Sequence, residues 1–344
     1  MYFRGHCIEY DTIDMFQMMV DIALEPRSVL AANVAKSKNQ KSHDLAHHLH
    51  KYDPNSNNQE LLLRTAFGYK TLGMPRLGLE GNVGYLDARV LQQFIMDNIT
   101  PKKCLIVASG IKNHKEYVDL VKERLGDMLA VPEHDYVREA SQYIGGEYRT
   151  WTESPTTNIQ VAFESVPWAH TDVLAFNLIN QMVGSAKAFG KSNHGRSSYV
   201  VQNNEFVDSI HGINSHFSDS GLFGISVEGA GSHSADLLKV AIDQLNKLRE
   251  PISEQELSRA KNTLKMNFLL EIENSSNRLE ELARNFSSHG NLTIGQYSEQ
   301  IDAITGDQIN QAARRALHGK PTMVVTGGAI NMVPSMTDVQ RQLN

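Results

Sequence analysis

Apolar residues recur every three to four positions in several long stretches of the chain, the spacing of a helix with one buried face. These stretches lie at 14–26, 86–97, 172–183, 235–248 and 306–317. Residues 158–163 alternate and residues 222–227 are mainly apolar, so both predict strands. Ser253 and Glu256 have the spacing of a capping box, which predicts a helix running to Phe268 or beyond. The pattern as a whole indicates the α+β class.

The pattern also repeats along the chain. The apolar run at residues 105–110 ends in glycine and precedes a helical stretch, and the run at 323–328 does the same. The number of residues that separates the starts of the two runs also separates Val121 from Val339 and Leu125 from Leu343. We interpret this as a duplicated unit of about 220 residues, and we expect roughly 90 N-terminal residues of the first copy to lie outside this chain. Chance recurrence of strand, glycine and helix is the alternative interpretation.

A polar break with Pro132 at residues 131–141 predicts a linker between two domains, 1–133 and 134–344. A chain of 344 residues with 41% hydrophobic and 21% charged residues is long enough for two globular domains. Its net charge of −6 argues against nucleic acid as a partner. No apolar run reaches the length of a membrane span. Its two cysteines match neither a disulfide framework nor a zinc site, which favours a reducing compartment.

Three histidines form the most conspicuous cluster, because His43, His47 and His50 would share one face of a helix. Zinc peptidases use two histidines at this i, i+4 spacing. The general-base glutamate is absent, however, and neither HExxH nor HxxEH occurs in the chain. We therefore favour a solvated helix leading into a loop at 53–58, and predict no metal site and no cofactor.

A glycine-bearing loop at residues 184–198 is the second candidate. Residues 190–192 match the last three positions of a phosphate-binding loop motif. The position five residues before Gly190 is not glycine, however, and the loop follows a helix where that motif follows a strand. We therefore reject nucleotide binding. The basic residues Lys187, Lys191 and Arg196 would let the loop touch a peptide or a partner subunit. A tolerated long surface loop is the other interpretation, and the residues alone leave both open.

Five segments resemble motifs of the pitrilysin-like (inverzincin) metallopeptidase family, in order and over nearly the whole chain. They are residues 72–78, 219–225, 257–265, 274–290 and 297–305. Within that family the chain is most similar to the mitochondrial processing peptidase alpha subunit and to the core proteins of respiratory complex III. The loop lies where the alpha subunit has its substrate-gripping glycine-rich loop, and the matching positions are Gly184, Phe189, Gly190 and Gly195.

The resemblance implies two similar α+β domains, each a mostly antiparallel sheet with helices packed on one face, and a first domain that is N-terminally incomplete. It also implies that the family's zinc ligands and general base would fall before Met1. No catalytic residue is therefore expected in this chain, and Gly184, Phe189, Gly190 and Gly195 are expected to form a degenerate substrate-binding loop.

The role that the resemblance implies is that of a noncatalytic subunit, peripheral on the matrix side of the mitochondrial inner membrane. Its expected partners are a zinc-bearing beta-type subunit, other complex III subunits and presequence peptides. Two alternatives stay open. The chain could be a fragment of an active zinc metalloendopeptidase whose catalytic segment is supplied by another chain, or a scaffold that binds no peptide.

Overall fold

The computed structural model divides the chain into two compact units. The first unit comprises Met1–Asp53, Leu77–Arg138 and Leu279–Ala283, and the second comprises Pro54–Arg76, Glu139–Arg278 and Arg284–Asn344. The structure describes residues 2–24, 34, 54–76, 78–99, 104–125, 139–188, 194–288 and 294–343.

Thirteen helices lie in the described part of the chain. They are α1 (Thr12–Leu24), α2 (Pro54–Phe67), α3 (Glu80–Val83), α4 (Ala88–Asn98), α5 (His114–Leu125), α6 (Val173–Val183), α7 (Arg196–Asn203), α8 (Ser234–Lys247), α9 (Glu254–Glu273), α10 (Ser275–Ser288), α11 (Ile294–Ala303), α12 (Gly306–Leu317) and α13 (Met336–Leu343). Each of the five stretches with helical periodicity is therefore a helix, with ends within three residues of the prediction. None of the helices in these described ranges is long and apolar enough to cross a membrane.

A six-stranded sheet organises the second unit. Its strands are β1 (Gly146–Trp151), β2 (Thr156–Ser165), β3 (Ser185–Lys187), β4 (Val207–His216), β5 (Gly221–Ala230) and β6 (Thr322–Gly327). They lie in the order β1-β6-β2-β5-β4-β3. Only β1 and β6 run parallel, and the other neighbours are antiparallel. The fold is thus α+β with a mostly antiparallel sheet, as expected.

Helices α6, α8 and α12 cover one face of this sheet with an apolar core. Phe163, Phe223 and Ile225 of the sheet are fully buried there, together with Ile179 of α6 and Leu237 of α8. Burying side chains of this size contributes about 1.5–3 kcal/mol each relative to leaving them exposed. Removal of these faces from water is therefore the main force that holds the unit together.

The other face of the sheet is covered by α2, which the sequence analysis did not foresee. Leu62 and Phe67 of α2 are buried against Ala162, Leu222 and Val324. The predicted loop at residues 53–58 is wrong, because α2 begins at Pro54. Proline fits the first helical position well, since the N–H that it lacks would have no partner within the helix there.

The described elements of the first unit follow the order of elements at the end of the second. A 3-10 turn at Glu9–Asp11 leads into α1, as the 3-10 turn at Gly231–His233 leads into α8. Helices α4 and α5 likewise occupy the positions of α12 and α13 in the repeat. This correspondence, observed in backbone structure, supports the duplication.

The run at residues 105–110, which the repeat aligns with β6, forms no strand among the described residues. In the second unit β6 lies between β1 and β2. The described part of the first unit has no equivalent of either neighbour, and a strand is defined by its hydrogen-bonded partners. Most of the predicted linker at 131–141 lies outside the described residues, so the domain boundary between 133 and 134 stays a prediction. The histidine cluster lies entirely outside them.

Candidate functional site

The base of the glycine loop is built where α6 ends and α7 begins. The chain turns at Gly184, forms the short edge strand β3, and returns at His194. There the His194 N–H donates to the Ser185 carbonyl oxygen at 3.0 Å, which closes the loop as an isolated antiparallel bridge. Phe189 and Gly190, two of the four predicted substrate-binding residues, lie outside the described residues.

Gly184 and Gly195, the other two, face each other at this closure. Their φ,ψ values are 72°, −158° and 74°, −163°, a region that is essentially restricted to glycine. A Cβ on Gly184 would lie 2.1 Å from the His194 carbonyl oxygen, and one on Gly195 would lie 2.7 Å from the carbonyl oxygen of Met182. Both positions therefore require glycine so that two backbone segments can touch, whatever the loop binds.

Arg196, the first residue of α7, has a structural partner. Its Nε and Nη2 donate to the two carboxylate oxygens of Glu256 at 2.7 and 2.9 Å, and its Nη1 donates to the Lys247 carbonyl oxygen at 3.0 Å. The hydrogen bonds from Arg196 hold the pKa of Glu256 below its ordinary value. The guanidinium is thus engaged in a bidentate ion pair that ties the start of α7 to α9, and contact of the loop with a peptide or a partner subunit stays a prediction.

Ser253 caps α9 as predicted, and its hydroxyl accepts from the Glu256 N–H at 3.2 Å. The side chain of Glu256 does not complete the capping box, because its carboxylate is bound to Arg196. The complete box lies at the start of α12, where Thr305 and Gln308 exchange hydrogen bonds. The spacing identified a true helix start, but a residue 60 positions away decided the role of Glu256.

Next to the loop, the face of the sheet that α2 covers turns polar. A row of side chains runs across neighbouring strands from Ser185 through His211 and Ser226 to Gln160. Burial, with Lys187 as the smaller cause, lowers the pKa of His211, which keeps its imidazole neutral at physiological pH.

Two members of this polar region are buried amides on β2. Asn158 and Gln160 are 8% and 6% exposed, and the Oε1 atom of Gln160 accepts no hydrogen bond from any residue that the structure describes. Asn58 of α2 lies over the same region and its Oδ1 accepts from the Thr326 hydroxyl at 3.1 Å. Ser226 is buried as well, whereas Ser185 and His211 are only partly buried, so hydrogen bonding to a peptide suits this outer end of the strip.

The sequence showed the alternation of β2 but not the burial of its polar side. Alternation is typical of a strand with one solvated face, and the helix that covers that face comes from about 100 residues earlier in the chain. Within the described ranges no three His, Cys, Asp or Glu side chains are grouped to hold a metal ion.

Relatives among characterised proteins include both subunit types of one peptidase. The chain is 26% identical to the probable mitochondrial-processing peptidase subunit beta of Arabidopsis thaliana, covering 81% of this chain and 54% of that protein. It is 25% identical to the beta subunit of Rattus norvegicus, over 81% of this chain and 58% of the relative. It is 26% identical to the mitochondrial-processing peptidase subunit alpha-2 of Dictyostelium discoideum, over 85% of this chain and 66% of the relative. The chain thus spans between about half and two thirds of the length of these proteins.

A solved structure with the same fold is a chain of complex III2 from Candida albicans, determined with Inz-5 bound. It has a TM-score of 0.85 and 21% sequence identity, and the match covers 98% of this chain and 81% of that one. A family model described as the peptidase M16 inactive domain matches residues 85–264, more than half of the chain. The chain therefore belongs to the peptidase M16 family and carries its inactive type of domain.

Proposed function

We propose that the protein is a noncatalytic subunit of the mitochondrial processing peptidase or of complex III. In this role it pairs with a beta-type subunit that holds the zinc ion, and it acts as a scaffold beside the catalytic partner. The observation that carries the proposal is the match of residues 85–264 to the inactive domain of the M16 family. The similarity in fold to a chain of complex III2 supports the same assignment.

The geometry of the loop refines this role. Gly184 and Gly195 serve the closure of the loop, and Arg196 is tied to Glu256. Contact with a presequence peptide is then left to the other loop residues, among them Phe189 and Gly190, or to Ser185 and His211 at the partly buried end of the polar strip. We propose a weak presequence contact there, in an assembly on the matrix side of the inner membrane together with other complex III subunits.

The test is to express the full chain with a tag, alone and together with a beta-type processing peptidase subunit. Each sample is assayed for cleavage of a fluorogenic presequence peptide. We expect no cleavage by the chain alone, a stable heterodimer, and cleavage by the heterodimer that disappears when the general-base glutamate of the partner's zinc motif is changed to glutamine. Failure to form any complex with the partner would refute the proposal.

A second candidate function is favoured by the beta-type relatives, which are as similar to the chain as the alpha-type relative. In that case the chain is part of an active zinc metalloendopeptidase whose catalytic segment is supplied by another chain. Cleavage that persists after the partner's general base is removed would support this function over the first. The zinc content of the purified heterodimer is an independent measure. One ion per heterodimer supports the first function, and two ions support the second.

A further inference from the structure

Three sulfur-bearing side chains lie near the start of α1 in the first unit. Met15 and Met19 are four residues apart on α1, so they share one face of the helix. Cys7 lies five residues before that helix and is a free cysteine with an exposed side chain. All three belong to the first unit, away from the glycine loop and the polar strip of the second.

Gly5 shows how close the two methionine sulfurs are. A Cβ at Gly5 would lie 2.7 Å from the Sδ atom of Met15 and 3.1 Å from the Sδ atom of Met19. The two sulfur atoms are therefore at most 5.8 Å apart (2.7 plus 3.1). A metal–sulfur bond is about 2.3 Å long, so two sulfur ligands of one ion lie within about 4.6 Å of each other. The flexible methionine side chain, with three rotatable bonds, can make up a difference of about 1 Å.

Cys7 is within reach of the same place. Two residues of extended chain span about 7 Å at most, so the Cα atom of Cys7 lies within that distance of the Cα atom of Gly5. The ring of Phe16 on α1 packs edge-on against the ring of Tyr117, with centroids 5.5 Å apart. Burial raises the pKa of Tyr117, and the charge of Cys7 is a smaller cause of the same rise. Cys7 therefore lies beside the helix face that Phe16 and Met19 share.

The charge and softness of these ligands select the ion. A cysteine thiolate and two methionine thioethers are soft ligands, which favour copper(I) over zinc, magnesium or calcium. One thiolate neutralises the single charge of copper(I), whereas a zinc ion at the same ligands would keep one uncompensated charge. Met15 and Met19 are partly buried, and an uncompensated charge is costly to bury.

We infer that Met15, Met19 and Cys7 bind one copper(I) ion through two thioether sulfurs and one thiolate sulfur. The thiol releases its proton to solvent when the ion binds. A reducing compartment, which the cysteine content favours, keeps this thiol reduced. The prediction of no metal site concerned the histidine and acidic ligands of zinc peptidases, which are not the ligands of this site. The inference does not depend on the proposed function.

Competition for copper(I) tests the site. The purified full chain is titrated, without oxygen and with a reductant, into the coloured complex of copper(I) with bicinchoninate. We expect each chain to withdraw one copper ion from the complex. Failure to withdraw copper would overturn the inference, because the two methionines would then serve only to pack against Gly5.

Matched variants locate the ion. Leucine has nearly the volume of methionine, so Met15→Leu and Met19→Leu remove a ligand with little change in packing. Changes around a metal ligand already cost 10–100-fold in affinity, so each of these variants and Cys7→Ser should lose about 100-fold or more. The controls are Met332→Leu, at a methionine that is 61% exposed in the second unit, and Cys104→Ser, at the other free cysteine. Both controls should bind copper as the wild type does.

Two outcomes of the variant series would contradict the site. Unchanged affinity in the Met15→Leu, Met19→Leu double variant would show that copper binds without the thioethers. An equal loss in Cys104→Ser and Cys7→Ser would place the ion on the cysteines alone. Thermal unfolding without copper checks that each variant is folded.

X-ray absorption at the copper edge gives a readout that needs no substitution. The full chain is labelled with selenomethionine and loaded with one equivalent of copper(I). We expect two selenium atoms and one sulfur atom bound to copper. A shell of nitrogen or oxygen atoms, or one with sulfur and no selenium, would refute the assignment.

Discussion

Replacing either glycine at the base of the glycine loop should destabilise the second unit. Gly184→Ala and Gly195→Ala each put a methyl group where two backbone segments touch. For Gly184 that methyl carbon would lie 2.1 Å from the His194 carbonyl oxygen, against an ordinary contact of 3.4 Å or more. The two segments must therefore separate by about 1.3 Å (3.4 minus 2.1).

The cost can be worked from the structure. A non-glycine residue at these φ,ψ values is strained by about 1–3 kcal/mol. Separating the segments also breaks the hydrogen bond from His194 to Ser185, which adds about 1 kcal/mol. The total of about 2–4 kcal/mol lowers the Tm of a unit of this size by about 4–16 °C. Because each glycine's added Cβ would approach the Cα of the other, the double variant should lose less than the sum of the two single variants.

The assay is thermal and urea unfolding of the full chain, followed by tryptophan fluorescence. Gly306→Ala is the matched control, because Gly306 is the first residue of α12, its φ is not positive, and a Cβ there would meet nothing closer than 4.0 Å. That control should be neutral or slightly stabilising.

A Gly184→Ala protein that melts within about 2 °C of the wild type would refute the reasoning about the closure. If it melts normally and loses only peptide crosslinking, Gly184 serves ligand binding directly. If Gly184→Ala loses stability while Gly306→Ala does not, Gly184 is needed for the structure of the loop.

Three further outcomes are expected. Arg149→Met keeps the aliphatic stem but removes all three hydrogen bonds to the carbonyl oxygens of Ile330, Val333 and Pro334, so the free energy of unfolding in urea should fall by about 2–4 kcal/mol, and Arg149→Lys should be intermediate. Equal stability of the methionine variant and the wild type would contradict this expectation. Arg196 holds the pKa of Glu256 below its ordinary 4.5, so the stabilisation is complete above that pH and is lost as pH falls through the lowered pKa. The stability gap between wild type and Glu256→Gln should therefore shrink as the pH falls below 4.5, and a gap that stays constant would refute the pairing. Burial lowers the pKa of His216 from 6.5, so the unfolded chain takes up the proton first and stability falls as pH drops below 6.5. His216→Phe should lose less stability than wild type between pH 7 and 5 in urea titrations, and an unchanged loss would show that other groups, such as His211, cause it.

The helices could be predicted because their cause is local. Periodic apolar positions define α12 within twelve residues, and a serine three positions before Glu256 marks the start of α9. The duplication was readable for the same reason, since it repeats short patterns in a fixed order. Residues of the family's motifs are likewise visible in single windows of sequence.

Several strands could not be predicted. The pattern of β4 mixes polar and apolar residues around Gly212, and β1 is polar at most positions, so neither shows a clear period. Both exist because neighbouring strands pair with them along their length. Pairing partners are chosen by the three-dimensional arrangement, and β1 pairs with a strand that begins more than 170 residues later.

By itself the sequence determined the α+β class, the repeat and the family resemblance; it predicted Gly184 and Gly195 as substrate-binding residues, and only the structure showed that they lie at the closure of the loop. Only the tertiary structure decided that α2 covers the second face of the sheet, that Glu256 binds Arg196, and that β1 lies at the end of the sheet beside β6. The physical reason is the range of the interactions. Helical periodicity, caps and glycine conformations act within a few residues of the chain, whereas burial, ion pairs and strand edges depend on segments that meet only when the chain has folded.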